Sequence, residues 1–212
     1  MTELIDICKS YGDKAVYRNF NLSISESKIT AILGESGSGK TTLLNIIAGL
    51  TDYSGEIKNA PERVSFVFQR DRLVKNLTVK QNIELVTKTA DVSSELESFG
   101  LGGCENKYPK ELSAGMARRV AILRALLFGS KFLLMDEPFV NLDISLKYRL
   151  IEKVKNKCNT GGRTVIFVTH DIKEAVTLAD EIIVLSQGKI VRKITEINKE
   201  TENDLFNLML SL

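Results

Sequence analysis

The stretch GESGSGKT, Gly34 to Thr41, follows the short apolar run ITAIL and precedes TTLLNIIAGL, a helix pattern closed by Gly49. It fits G-x-x-x-x-G-K-[ST] in full, with a strand before it and a helix after it. No other feature narrows the fold as much, because a strand that feeds a helix through a glycine loop belongs to an α/β architecture. The composition suits phosphate chemistry. Glycines let consecutive backbone N–H groups close around phosphate oxygens, Lys40 reaches the β- and γ-phosphates, and the Thr41 hydroxyl can ligate Mg²⁺. The candidate nucleotide-binding residues are Gly34, Glu35, Ser36, Gly37, Ser38, Gly39, Lys40, Thr41 and Thr42.

Other short apolar runs, RVSFVF, KFLLMD, RTVIFVTH and EIIVLS, have the continuous hydrophobicity of parallel strands covered on both faces. Ahead of the glycine loop, ELIDICKSY and NFNLSISESKITAIL read as further strands, broken at Gly12-Asp13. From about Leu73 to Ser130 no strand is predicted. LTVKQNIELVTKTA, residues 77–90, opens with Thr78 and Gln81 in capping-box spacing. VSSELESFG is a short helix closed by Gly100, and Pro109 precedes LSAGM and a long helix. EIIVLSQGKIVRKI predicts a hairpin turning at Gln187-Gly188. Near the end, Leu205, Leu208, Met209 and Leu212 share a helical face expected to pack on the chain's own domain. The predicted fold class is α/β: a P-loop NTPase core with a mostly parallel sheet, an N-terminal antiparallel β part and a helical insertion.

The bulk numbers set limits on this reading. With 212 residues and 43% hydrophobic content the chain can bury one substantial core. Its 29 basic and 27 acidic residues leave a net charge of +2, which argues against a nucleic-acid partner. Lys153, Lys155 and Lys157 read as a solvated helix face. Cys8, Cys104 and Cys158 are dispersed and odd in number, which suggests a reducing compartment rather than a disulfide framework. The start, MTELIDICKS, has no signal-peptide pattern, and the apolar runs are too short to cross a bilayer. A cytoplasmic location is expected.

The strand ends carry the remaining chemistry. FLLMDEP ends a buried strand in two adjacent carboxylates: Asp136 is suited to hold Mg²⁺ and Glu137 to polarise an attacking water. In an open α/β sheet, ligands gather at the carboxyl ends of the strands. His170, the single histidine, ends TVIFVTH on the edge expected for Gly34 and Asp136, and is read as a partner of the γ-phosphate. Asp171 and Glu174 begin the next helix. Gln69 follows RVSFVF, where its amide can contact Mg²⁺ or the attacking water. LSAGM, residues 112–116, places Ser113 at a second helix start, and a helix N-terminus is itself an anion site.

In this order and spacing, Gly34–Thr41, Gln69, LSAGM, LLMDEP, Asn141–Asp143 (NLD) and His170 resemble an ATP-binding-cassette (ABC) ATPase subunit over nearly the whole chain. The resemblance implies a single domain, with residues 1–71 and 131–212 as the α/β core and about 72–130 as the helical signature subdomain. It implies ATP and Mg²⁺ as ligands and two subunits facing head to tail. Ser113 and the N–H groups around Gly115 would then grip the γ-phosphate bound to the partner's phosphate loop. It also implies that Tyr11, or failing that Tyr17, stacks on adenine, and that Asp143 lies along the dimer interface, where it is also placed to cap a helix. Three departures are modest: Ala114 replaces a usual glycine, Met116 a usual glutamine, and Asn141 a serine or alanine.

FQRDRLVKNLTVKQNI, LSAGMARRVAI and VTHDIKEAVTLADEIIVLS resemble ATPases of importers of the nitrate, sulfonate and taurine group. That likeness implies a homodimer that binds integral membrane permease subunits at the inner face of the membrane. An extracytoplasmic solute-binding protein would act indirectly. A groove beside Gln69 and the helical insertion would receive a permease helix, with residues 70–78 nearby. The alternative is a soluble ATPase of the same superfamily, acting in Fe–S assembly or on ribosomes. A P-loop kinase or GTPase would leave LSAGM and His170 without a task, and no N-K-x-D guanine motif is present.

Overall fold

A computed structural model describes residues 1–88 and 91–212. The chain runs β1 (Thr2–Tyr11), β2 (Lys14–Ile24), β3 (Ile29–Leu33), α1 (Lys40–Ile47), β4 (Ser54–Lys58) and β5 (Val64–Val67). Three helices follow, α2 (Val79–Glu84), α3 (Val92–Ser98) and α4 (Ala114–Leu127), with a short 3₁₀ turn at Pro109–Glu111. Then come β6 (Phe132–Asp136), α5 (Ile144–Thr160), β7 (Thr164–Thr169), α6 (Ile172–Leu178), β8 (Glu181–Ser186), β9 (Lys189–Ile194) and α7 (Thr201–Leu210).

Two sheets form. β2, β1 and β4 make a three-stranded antiparallel sheet, and the larger sheet has the order β5-β6-β7-β3-β8-β9. Neighbours from β5 to β8 are parallel, and only β9 returns antiparallel. Every residue of β3, β6 and β7 is buried, as their unbroken apolar runs require. One face of the large sheet packs on α1 and the antiparallel sheet through Ile32, Leu43, Leu134, Ile166 and Leu4. The other face, with Leu33, Met135, Val165 and Phe167, shares its core with Val79, Leu96, Val120 and Leu123 of α2, α3 and α4. The helical insertion is therefore fastened to the sheet by the same apolar contacts that close the core.

Most expected elements stand, and the differences have physical causes. β4 was not expected: SGEIK is short and polar, with four of its five residues exposed, so no apolar pattern marks it. The helix expected over 77–90 keeps its capping box, with Thr78 and Gln81 bonded reciprocally, but ends at Glu84. Leu85 and Val86 form a turn, and Thr89 and Ala90 lie outside the described residues. Lys153, Lys155 and Lys157 are not a merely solvated face. Lys155 donates to the Thr177 carbonyl at 3.0 Å, Lys157 pairs with Glu95 at 2.7 Å, and Lys153 lies 5.8 Å from the centre of the Phe99 ring. They tie α5 to α6 and to the α3 region.

The β8–β9 hairpin turns at Gln187 (φ 46°) and Gly188 (φ 73°), both left-handed as a two-residue turn of this kind requires. A Cβ on Gly188 would lie 2.0 Å from the Val16 carbonyl oxygen, so only glycine fits. Its N–H donates to the Ser38 carbonyl at 3.1 Å, which fastens the hairpin to the glycine loop. On α7, Leu205 is fully buried and Leu208 and Met209 pack partly, but Leu212 lies past the helix end and is 39% exposed. Leu205→Ala is expected to lower unfolding free energy by about 2–4 kcal/mol, and Leu212→Ala to change it by under about 0.5 kcal/mol. Urea denaturation of both variants measures the difference.

Candidate nucleotide site

The site begins where parallel strands end together. β3 ends at Leu33, paired with Thr169, and β6 ends at Asp136, paired with Val168. The next residues, Gly34, His170 and Glu137, therefore leave the sheet side by side. β5 stops at Val67, two positions before Gln69, which reaches the same edge as an exposed side chain. A 350 Å³ cavity there is lined by Tyr11, Lys14, Val16, Ser36, Gly37, Gly39, Lys40, Thr41, Thr42, Gln69 and Glu137. A smaller hollow of 140 Å³ beside it joins Glu137 to His170 and Asn141.

The glycine loop is held open by contacts from below. Gly39 has φ 108°, and a Cβ there would come within 2.7 Å of the Tyr17 hydroxyl. That hydroxyl donates to the Gly39 carbonyl at 2.9 Å. Tyr17 is 1% exposed and burial raises its hydroxyl pKa, so it braces the loop and cannot stack on a base. Tyr11, the first tyrosine expected for that task, is half exposed on the cavity rim, and the Lys9 ammonium lies 4.8 Å from its ring centre. Lys9 is in turn held by Asp52 at 2.8 Å. The Ser38 hydroxyl is buried in the loop without a hydrogen-bond partner.

Lys40 is folded back, donating to the carbonyls of Gly34 and Glu35 at 2.7 Å each. Burial pulls its ammonium below the ordinary lysine range, while the charges of Glu137, Asp136 and Glu35 work the other way. Thr41 donates to both carboxylate oxygens of Asp136, at 3.2 and 3.0 Å. Burial pushes the Asp136 carboxyl up; the Thr41 hydrogen bond opposes the rise and the neighbouring Glu137 charge adds to it. Two groups with opposite charges thus sit in an environment that disfavours both charges until phosphate and a cation supply partners.

Glu137 has a strained backbone. Its φ of 45° is left-handed, a conformation that costs a non-glycine residue on the order of 1–3 kcal/mol. Its N–H donates to Val168 at 3.0 Å, and Arg118 donates to its carbonyl at 2.5 Å. One carboxylate oxygen lies 3.3 Å from His170 Nδ1. The imidazole itself is mostly exposed, so it is free to meet a ligand. Asp171 caps α6 through the N–H groups of Lys173 and Glu174, as its position predicted.

Ser113 and Gly115 do not line the cavity beside Lys40. Ser113 is the N-cap of α4 and accepts from the Met116 N–H at 3.2 Å. Ala114 is the first helical residue, so its methyl group is accommodated. Gly115 abuts the Asn141–Asp143 loop: a Cβ on it would lie 3.3 Å from Leu142 and 3.5 Å from the Asn141 carbonyl. Asp143 occupies the N-cap position of α5, but its side chain makes no capping bond there and is exposed. The capping role considered for it does not hold.

One residue escaped the sequence reading. Arg118 is 2% exposed and donates to Phe68, Asp71, Asp136, Glu137 and Pro138. The available signal was its place on α4: Arg118 shares the face of Ala121, Ile122 and Ala125, where an apolar stripe should not carry a charge without work for it.

The donor set fits Mg²⁺ brought in with a nucleotide. Among the described residues, no group of three His, Cys, Asp or Glu side chains could hold a metal alone. Magnesium is commonly bound by one or two carboxylates together with substrate phosphates, and Thr41, Asp136 and Gln69 supply hard oxygens beside the loop. In the ligand-free protein, Asp136 has a folded pKa above its unfolded one. The folded state then binds more protons in the interval just above the ordinary carboxylate range, and its stability falls as pH rises through that interval. Asp136→Asn is expected to remove that residue's share of the slope and to raise the ligand-free Tm at pH 7. Thermal melts at several pH values measure it.

With this geometry in hand, known proteins provide a comparison. Residues 17–140 match the family described as ABC transporter. The aliphatic sulfonates import ATP-binding protein SsuB of Bacillus thuringiensis subsp. konkukian is 40% identical over 211 residues, covering 93% of this chain and 82% of that one. The sulfate/thiosulfate import ATP-binding protein CysA of a Synechocystis species is 39% identical over 205 residues, covering 87% of this chain and 58% of its own length. The dimeric structure of a bacterial ABC transporter cassette superposes with a TM-score of 0.83 at 30% identity, covering 93% of this chain and 99% of that one. The same cassette in a post-hydrolysis state with ADP and Pi gives 0.82, again at 30% identity. The ordered motifs, the strand-end site and these matches agree: the chain belongs to the ABC transporter family, as an ATP-binding, ATP-hydrolysing cassette.

Proposed function

We propose that this chain is the ATP-hydrolysing subunit of an importer for a small solute of the nitrate, sulfonate or taurine kind. The carrying observation is that the two helix starts suited to phosphate do not share one cavity. Lys40, Thr41, Asp136, Gln69, Glu137 and His170 meet at one sheet edge, while Ser113 and Gly115 stand apart from that cavity at another helix N-terminus. A second copy placed head to tail would bring its Ser113 and Gly115 to the γ-phosphate, and this chain would do the same for its partner. Residues 1–71 and 131–212 serve as the core of this cassette, and about 72–130 as the signature-bearing helical part.

The residues divide the reaction among themselves. Lys40 exchanges the carbonyls of Gly34 and Glu35 for the β- and γ-phosphates, trading neutral acceptors for charged ones. Tyr11 stacks on adenine, and the loop N–H groups take phosphate oxygens. Water attacks the γ-phosphorus, the bond to the bridging oxygen of ADP breaks, and the water proton passes to the Glu137 carboxylate. His170 contacts the γ-phosphate from the Glu137 side, and Gln69 orients the water. Mg²⁺, held by Thr41, Asp136 and Gln69, supplies positive charge against the phosphate oxygens when bound. The partner's α4 N-terminus adds donors that matter only while the γ-phosphate is present. ATP thus closes the dimer, and hydrolysis loosens it.

Shape supports one surface as the permease site. A 390 Å³ groove beside Phe68 is lined by apolar groups including Leu50, Val64, Phe66, Val86 and Phe128, with Leu50 55% exposed. Residues 70–78, expected near such a groove, do not line it. A short permease helix fits this groove, which would hold the subunit peripherally at the inner membrane face, with an extracytoplasmic solute-binding protein acting on the far side. No described helix is long and apolar enough to cross the membrane itself.

Two tests follow. Glu137→Gln is expected to convert the protein from monomer to dimer at saturating Mg-ATP by light scattering, and Lys40→Ala to lower ATPase activity at least about 100-fold. A Glu137→Gln protein that stays monomeric overturns the head-to-tail reading. Separately, Leu50→Glu is expected to abolish permease co-purification from detergent extracts while the isolated subunit keeps its ATPase rate. Retained permease would move the docking surface elsewhere.

A further inference from the structure

The Arg118 guanidinium has five N–H donors, and all five are engaged. Nη1 donates to the Phe68 carbonyl at 2.5 Å and to the Asp71 carboxylate at 3.1 Å. Nη2 donates to the carbonyls of Asp136 at 3.0 Å and Glu137 at 2.5 Å, and Nε to that of Pro138 at 3.0 Å. These acceptors belong to two separate segments. Phe68 immediately precedes Gln69, and Asp136–Pro138 is the strand end that carries the strained Glu137 peptide. A single buried side chain thus fixes both backbones that aim the water-handling groups.

Arg118 also lies on α4, the helix whose N-terminus carries Ser113 and Gly115. Five residues of helix place it about 7.5 Å along the axis from Ser113. A helix is stiff over that distance, so a tilt or shift of its N-terminus must move the guanidinium. Arg124, further along the same helix, donates to the Arg72 carbonyl at 3.0 Å and to Asn82 at 3.2 Å, which extends the hold on the segment after Gln69.

We propose that Arg118 is the positioning residue that couples the two nucleotide sites of the dimer. The N-terminal end of α4 engages the partner's γ-phosphate, and Arg118 transmits that engagement to Gln69 and Glu137 of the subunit's own site. Neither site is then fully aligned until the other holds ATP, and hydrolysis is cooperative. This rests on the head-to-tail reading above. It adds a route through one named side chain, where a chain of packed contacts would otherwise have to be assumed.

The test compares wild-type protein with Arg118→Gln and Arg118→Lys. Gln cannot span the five acceptors, and Lys keeps the charge but lacks the planar fork. For both variants the expected result is ATP affinity of the monomer within about twofold of wild type, kcat at least about tenfold lower, and a Hill coefficient falling from near 2 to near 1. The Leu205→Ala variant, destabilised in α7 and not among the residues lining the nucleotide cavity, should keep wild-type cooperativity, which separates coupling from mere loss of stability. If Arg118→Gln does not fold, Arg118→Lys carries the test alone. Cooperativity that survives the loss of Arg118 overturns this proposal and leaves the dimer reading standing. Non-cooperative hydrolysis by wild-type protein that also fails to dimerise as Glu137→Gln overturns both.

Discussion

The register of β3, β6 and β7 is the constraint on which the rest of the molecule depends. Leu33 stands beside Thr169 and Asp136 beside Val168, so the glycine loop, the carboxylate pair and the histidine begin at one level of the sheet. A slip of one residue in any of these strands would turn its side chains to the opposite face and move its catalytic neighbour away from the others. All three strands are fully buried, and the two sheet faces meet different partners, so such a slip would misplace an entire apolar set. The precision of the site is thus inherited from core packing. It does not have to be supplied by the polar residues themselves.

The polar residues are instead held in a state that a ligand relieves. Lys40 spends its charge on two neutral carbonyls, Asp136 has a single hydroxyl as its side-chain partner, and Glu137 sits in a strained backbone conformation. Burial opposes the charged forms of both Lys40 and Asp136. A polyphosphate with its cation would satisfy the lysine, the carboxylate and the threonine together. Stability forgone in the empty site thereby becomes affinity for the ligand.

Much of this was legible in the sequence because each motif is tied to a strand end, and buried parallel strands announce themselves as unbroken apolar runs. Gly34, Asp136 and His170 follow such runs directly, so their convergence could be read before any coordinates. What escaped lacked a pattern of that kind. β4 is a short polar strand whose pairing with β1 is non-local. The choice between Tyr11 and Tyr17 depends on which ring the antiparallel sheet buries, and that sheet has register shifts along β1. Asp143 has a capping residue's identity and position without its bond. Arg118 depends on two segments distant from it in sequence, and no local periodicity reports what a buried guanidinium will find.

The separation of Ser113 from Lys40 gives these details a common logic. A cassette that carried both phosphate-binding helix ends in one pocket would bind ATP well as a monomer and would have no reason to change partners during a cycle. In the proposed head-to-tail dimer, a second helix end that does not line the Lys40 cavity makes the γ-phosphate a contact between subunits. Its loss then changes an interface and not just a pocket. For that change to do work, the helix end has to be linked mechanically to the groove beside Phe68 and to the Glu137 peptide. α4 is the element that reaches all three: Ser113 at its start, Arg118 against Phe68 and Glu137, and Ala125 in the wall of the groove. On the proposed reading, the helix that looks most ordinary in the sequence, capped by a serine and carrying small and apolar residues, would be the part through which phosphate chemistry and membrane partner sense one another.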